Sequence, residues 1–81
     1  MHELSLAQGL LVQLQELAAA HGVEKILHVR VNIGRASGVV VDSFVFGFDA
    51  IKMDVPLTME AVLHIEEVEG SDLVLMQVEM E

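Results

Sequence analysis

The first three residues, Met1, His2 and Glu3, carry groups that can bind one metal ion. The α-amine of Met1 and the backbone amide and imidazole of His2 can close two fused chelate rings. Three nitrogens in one plane suit Ni(II) or Cu(II), which accept square-planar coordination. Glu3 can add a fourth donor through its amide or its carboxylate. On the motif alone, however, a histidine at position two is more often a solvated side chain than a metal ligand. Glu3 also suits the role of an acid that compensates the helix dipole ahead of a helix.

Other metal-binding side chains are present but have ordinary structural interpretations. His21 is expected to support the end of a helix, where a cation is favoured. His28 and His64 fall on the polar faces of two strands, where they could be neighbours; solvated side chains are favoured over a second metal site. The methionines that follow the central loop are interpreted as core fillers rather than thioether ligands: Met53, Met59, Met76 and Met80.

Charge and composition exclude several classes of function. The chain has 13 acidic and four basic residues, a formal charge of −9, so nucleic acid and anionic membranes are excluded as partners. A small cation or a basic protein would be attracted instead. The acidic run Glu66, Glu67 and Glu69 is expected to be a solvated strand end, with a docking surface as the alternative. No paired catalytic acids, nucleophile with a base, phosphate loop or zinc-ligand spacing is present, so no enzyme is predicted.

The absence of cysteine removes disulfides and thiolate metal sites. The N-terminus lacks the charge and apolar run of a signal peptide, and no apolar stretch reaches the roughly 18 residues of a membrane span. A cytoplasmic location is therefore expected.

Helical periodicity predicts that the start of the chain, with its candidate metal ligands, leads directly into a helix. Ser5 and Gln8 match the S-x-x-Q capping box, which places the helix start near Ser5. The helix is expected to end at His21 and Gly22, because glycine is common where a helix closes in a left-handed turn. One apolar stripe recurs at helical spacing between these limits: Ala7, Leu10, Leu11, Leu14, Leu17 and Ala18.

The next two segments differ in how clearly they predict their structure. Residues 26–33 alternate as a half-buried strand, with Leu27, Val29, Val31 and Ile33 on the core face. After the loop GRASG, the segment VVVDSFVFGFDAI fits either a strand or a helix. Its β-branched and aromatic residues favour a strand, and Gly47 weakens a helix by about 1 kcal/mol relative to alanine, but the local evidence does not decide.

Two further alternating runs, roughly 60–68 and 73–80, flank the segment Glu69-Gly70-Ser71-Asp72 and predict a β-hairpin. No internal repeat, low-complexity tract or flexible linker interrupts the chain. Residues 1–81 are therefore predicted to form a single domain.

Several stretches together resemble the HypA-type hydrogenase nickel-incorporation proteins. They are MHELSLAQ, AAAHGVEKILHVRVNIG, the S-G-V that follows, FGFDAI, LHIEEVEG and DLVLMQVEME. The resemblance covers nearly the whole chain, and its most specific part combines the MHE start with the I-G-x-x-S loop.

The resemblance implies an α/β fold: a small mixed three-stranded sheet with two helices packed on one face, which makes VVVDSFVFGFDAI the second helix. It also implies a nickel metallochaperone that binds Ni(II) through Met1, His2 and Glu3. Its implied partners are a HypB-type GTPase and a hydrogenase large subunit, with urease maturation proteins as a further possibility. The rival interpretation is a protein-interaction module that has lost regulated metal delivery, and a weaker one is a small enzyme or ligand-binding domain with a concave polar pocket.

Two departures from the family pattern bear on this interpretation. The family carries a zinc-binding domain with two C-x-x-C pairs between its last two strands, whereas residues 68–71 stand at that position here. No zinc is therefore expected in this chain, whether the zinc-binding domain was removed by engineering or lost naturally. The second departure is Val40, which stands where family members often place an acid that can approach nickel. Asp42 lies nearby, but a role at the start of the helix is expected for it.

Overall fold

The computed structural model describes residues 3–81, which form two α-helices, a short 3-10 helix and a three-stranded sheet. The elements in chain order are α1 (Glu3–His21), β1 (Ile26–Gly34), α2 (Val41–Ile51), the 3-10 helix (Lys52–Asp54), β2 (Val62–Val68) and β3 (Leu73–Met80). This is the predicted α/β fold with a mixed sheet.

The central strand of the sheet is β1, and the strand order is β2-β1-β3. β1 pairs in parallel with β2 and antiparallel with β3. The helix α2 makes the crossover that parallel neighbours require. The predicted hairpin between the last two strands is therefore wrong. Alternation identified both strands correctly, but it carries no information about which strand is the hydrogen-bonded neighbour.

The connection 69–72 between β2 and β3 crosses the end of β1. The amide of Gly34 donates to the Asp72 carbonyl at 2.8 Å, and the amide of Ala36 donates to the Gly70 carbonyl at 2.9 Å. A Cβ atom on Gly34 would overlap the Gly70 carbonyl and lie 2.7 Å from the Ser71 nitrogen. Only glycine at position 34 lets the connection pass this close, and Gly70 itself has a positive φ of 114°.

Both helices pack on one face of the sheet and enclose a single core. α1 contributes the stripe expected from its periodicity, with Ala7, Leu10, Leu14 and Ala18 buried. The flanking positions Leu11 and Leu17 are half-buried. β1 contributes Ile26, Val29, Val31 and Ile33, and α2 contributes Phe44 and Phe48.

The ends of α1 confirm one prediction and correct another. The helix already includes Glu3, so the exposed Ser5 lies in its first turn and not at its N-cap. The C-terminus closes as expected, with Gly22 at φ 65°. The amide of Val23 donates to the Ala18 carbonyl at 3.1 Å and that of Gly22 to Ala19 at 3.3 Å, the two bonds of a Schellman motif.

α2 forms although its composition favours a strand. Helical spacing buries Phe44 and Phe48 against the core, while Phe46 between them is 77% exposed. The buried Gly47 faces α1, where an added Cβ would lie 3.6 Å from the Leu4 side chain. Burial of the two aromatic rings thus decides the structure of this segment against its local propensity.

A bulge changes the predicted pattern at the start of β1. The register against β3 shifts between Ile26 and His28, and it is Ile26 that is fully buried while Leu27 is only half-buried. The prediction that the methionines fill the core is wrong for three of them. Met53, Met59 and Met76 are 51%, 43% and 56% exposed, and only Met80 packs against the core.

No helix among the described residues is long and apolar enough to cross a membrane.

Candidate metal centre

The predicted nickel ligands lie at the edge of the described structure. Met1 and His2 fall outside residues 3–81, so their part of the site stays a prediction. Glu3 is half-buried at the start of α1. Its carboxylate oxygen Oε2 accepts a hydrogen bond of 3.2 Å from the backbone amide of Val40. The start of α1 is thereby tied to the start of α2.

This contact supplies a cap that the sequence of α2 lacks locally. Val40 is the N-cap residue of α2, with the extended backbone (φ −83°, ψ 104°) typical of that position, and no side chain of its own caps the helix. In a capping box, a glutamate three residues into the helix bonds the N-cap amide. Glu3 makes this bond from the neighbouring helix, and Asp42 adds negative charge in the first turn, as expected.

The I-G-x-x-S loop fixes the backbone that leads to Val40. The Ser37 amide donates to the Gly34 carbonyl at 3.0 Å, and the Ser37 hydroxyl accepts from the Val39 amide at 3.2 Å. Gly38, between these bonds, has a positive φ of 80°. The loop therefore sets the position of the amide that Glu3 contacts, a structural role that the motif alone did not reveal.

Two exposed ion pairs lie at the two ends of β1. Lys25 Nζ donates to Glu60 Oε2 at 3.1 Å, and this bond raises the pKa of Lys25 above its ordinary value. Arg35 donates at 3.0 Å to Oε1 of Glu69, the first residue of the connection 69–72. All three acids of the run, Glu66, Glu67 and Glu69, are exposed, as expected of a solvated strand end, and Glu69 also pairs with Arg35.

The remaining histidines divide into one helix-terminal residue and one pair. His21 Nδ1 lies 2.9 Å from the Leu17 carbonyl in the last turn of α1, which confirms its expected place. His28 and His64 meet on the open face of the sheet, with His28 Nδ1 2.9 Å from His64 Nε2. Their ring centroids are 5.1 Å apart. They are therefore partly buried and bonded to each other rather than separately solvated.

Residues 3–81 contain no group of three or more His, Cys, Asp or Glu side chains that could hold a metal ion. A depression of about 570 Å³ lies on the open face of the sheet and is open to solvent. Its lining includes Arg30, Asn32, His64 and Glu66.

Comparison with known protein families identifies the chain by sequence. Residues 1–73 match the family model described as HypA, hydrogenase/urease nickel incorporation, metallochaperone. The hydrogenase maturation factor HypA of Roseiflexus sp. is 44% identical over 68 residues, which cover 84% of this chain and 54% of that protein. The HypA of Solidesulfovibrio magneticus is 40% identical over 63 residues, or 78% of this chain and 54% of that protein. The chain thus spans about half the length of these curated relatives.

Solved structures support the fold independently. The solution structure of the Ni metallochaperone HypA from Helicobacter pylori superposes with a TM-score of 0.79 at 19% identity, covering 100% of this chain and 94% of that one. A second HypA solution structure gives a TM-score of 0.84 at 21% identity, with coverage of 100% and 97%. At these identities the likeness concerns the fold alone. The sequence match is the stronger ground, and it shows that the chain belongs to the HypA family of hydrogenase and urease nickel-incorporation metallochaperones.

Proposed function

We propose that this protein binds one Ni(II) ion through Met1, His2 and Glu3 and delivers it for hydrogenase maturation. Nickel is the cargo, and the chain itself catalyses no covalent reaction. Membership of the HypA family and the MHE start are the grounds for the metal and for the process.

The observation that carries the proposal is the anchoring of Glu3 on Val40. It fixes the residue that follows Met1 and His2, the two residues with the predicted nitrogen donors, so the chelating segment starts from a defined point on the domain. The amine of Met1 and the amide and imidazole of His2 supply three nitrogens. Since one carboxylate oxygen of Glu3 is already bonded to the Val40 amide, we assign the contribution of Glu3 to its backbone, as a further donor outside the plane of the three nitrogens.

The structure of the connection 69–72 bears on how the family's zinc module relates to this domain. In this chain the connection is held against the end of β1 by the Gly34 and Ala36 amides. We propose that it occupies the place of the zinc module and that nickel binding does not require that module. Selection of the recipient enzyme would then be weaker than in a relative that has it.

The proposed partners are a HypB-type GTPase and a hydrogenase large subunit, with urease maturation proteins as a further route. The alternative function, a protein-interaction module without regulated nickel delivery, is favoured by one observation. Phe46 is 77% exposed on α2, and aromatic side chains supply much of the binding energy at protein interfaces. A Phe46→Asp variant that loses the GTPase and keeps its nickel affinity would assign this side chain to docking.

The experiment that tests the nickel proposal is a titration of Ni(II) into protein with an authentic Met1 amine. His2→Ala should abolish tight binding because it removes the imidazole. His28→Ala and His64→Ala should leave the affinity of the tight site within about threefold, or ~0.7 kcal/mol. Equal tight binding by the parent and by His2→Ala would refute the proposed site.

A further inference from the structure

The pair of histidines on the open face of the sheet is not used by the proposed N-terminal site. His64 lies opposite Arg30 in the parallel register of β1 and β2, and His28 lies opposite Val62. The two imidazoles are therefore diagonal neighbours on adjacent strands. The strand register, and not a flexible loop, brings them together.

We propose that His28 and His64 form a second, weaker binding site for a divalent transition-metal ion of the nickel and copper type. The inference goes beyond the proposed function, because it concerns different residues in a different part of the fold. The two nitrogens His28 Nδ1 and His64 Nε2 are 2.9 Å apart. Two imidazole nitrogens bound cis at 90° and about 2.0–2.1 Å from one ion lie about 2.9 Å apart, so little change in their separation is needed.

To bind the metal ion, each of the two facing ring nitrogens must turn its lone pair away from the other imidazole and toward a common point above the sheet. The side chain of His28 is 43% exposed and that of His64 is half-buried, so both can rotate on the solvent side. Between neutral rings, one proton bridges the two nitrogens. When the ion binds, that proton moves to the other nitrogen of the same ring, and both facing nitrogens become ligands without net proton release.

Glu79 supports this arrangement from the opposite side of His28. It lies opposite His28 in the antiparallel register, and its Oε2 is 3.7 Å from His28 Nε2. This is too long for a direct hydrogen bond, but a small rotation of the exposed Glu79 side chain would close it. A carboxylate that accepts the second ring N–H of a ligating histidine fixes its tautomer and raises its basicity.

The charges around the pair explain why the site is expected to be the weaker of the two. Arg30 stands beside His64 and opposes a bound cation, whereas Glu79 and Glu66, which is opposite Asn32 on the same face, favour one. The protein supplies only two ligands, and water completes the coordination sphere.

The test uses the full chain with His2→Gln, so that the N-terminal imidazole is absent and the two sites can be separated. Ni(II) and Cu(II) are titrated near pH 7.5, with Zn(II) for comparison. One equivalent of nickel or copper should bind. In this background His28→Gln and His64→Gln should each weaken binding at least tenfold, while the control His21→Gln should stay within threefold.

A His2→Gln chain that binds neither nickel nor copper, or that loses no affinity when His28 or His64 is replaced, overturns the proposal. Thermal unfolding followed by circular dichroism establishes that each variant is folded. If a variant is not folded, the site is tested instead by NMR of the His2→Gln chain, in which bound Ni(II) broadens the ring signals of the histidines that bind it. The His28 and His64 rings should broaden and that of His21 should stay sharp, and the absence of this pattern overturns the site. Tight binding at Met1 is measured separately, so either site can fail without the other.

Discussion

Replacing Glu3 should reveal two separate contributions, one to stability through its carboxylate and one to nickel through its backbone. Glu3→Ala removes the acceptor of the Val40 amide, which no side chain of α2 replaces locally. One such hydrogen bond contributes about 1 kcal/mol net, and an acid at a helix N-terminus contributes about 0.3–1 kcal/mol through the dipole. Because these overlap, we expect a loss near 1 kcal/mol. In a domain of this size that lowers Tm by about 4–8 °C.

Glu3→Gln is the matched control, since it keeps an oxygen acceptor and loses only the charge. It should lower Tm by about half as much or less. Both variants retain the backbone amide, so nickel affinity should remain within about threefold. Thermal unfolding and a nickel titration on the same samples measure both effects. An unchanged Tm in Glu3→Ala would contradict the capping role, and a loss of nickel affinity beyond tenfold in Glu3→Gln would make the carboxylate a ligand.

The remaining predictions concern two glycines, the helix cap and pH. Gly34→Ala should destabilise the fold by about 1–3 kcal/mol, because the added Cβ overlaps the Gly70 carbonyl. Gly47→Ala should be neutral or stabilising by up to about 1 kcal/mol, because its added Cβ would make only ordinary contacts of 3.6–3.8 Å, and chemical denaturation of both variants checks this contrast. Val40→Asp should raise Tm, because it adds a capping carboxylate to an N-cap that has none of its own, and an unchanged or lower Tm would count against the cap geometry described. Nickel affinity should fall at least about 100-fold from pH 8 to pH 6, because the amine and the imidazole, with ordinary pKa values near 7.7–8.0 and 6.5, must both lose their protons before they bind the ion. A nickel affinity that does not change with pH in competition titrations would exclude these ligands.

The comparison of sequence and structure shows which information is local. The stripe of α1 and its closure at Gly22 were predictable, because helical period and glycine placement act within a few residues. The partners of β2 and β3 were not, because alternation does not specify which strand is the hydrogen-bonded neighbour, and the close approach of Gly70 to Gly34 joins residues far apart in the sequence. α2 was assigned correctly only through the family resemblance, since its local propensity favours a strand.

The candidate site divides in the same way. The chelating potential of Met1 and His2 is a property of consecutive residues and needs no fold to be recognised. The bond from Val40 to Glu3 and the contact of His28 with His64 span 37 and 36 residues and depend on helix packing and strand register. A capping role between two helices has no signature in either segment alone.

The most direct test of the central claim compares nickel binding by the authentic chain with that of a chain carrying Gly-Ser ahead of Met1. Two residues are needed, because a single one would place the imidazole third in the chain, where an amine, two amides and an imidazole again form a square-planar set for Ni(II). The extended chain keeps every side chain and displaces only the amine from its position beside His2. We predict that tight nickel binding is lost on extension, while the fold and its Tm are unchanged. Equal tight binding by the two chains would contradict the assignment of nickel to Met1, His2 and Glu3.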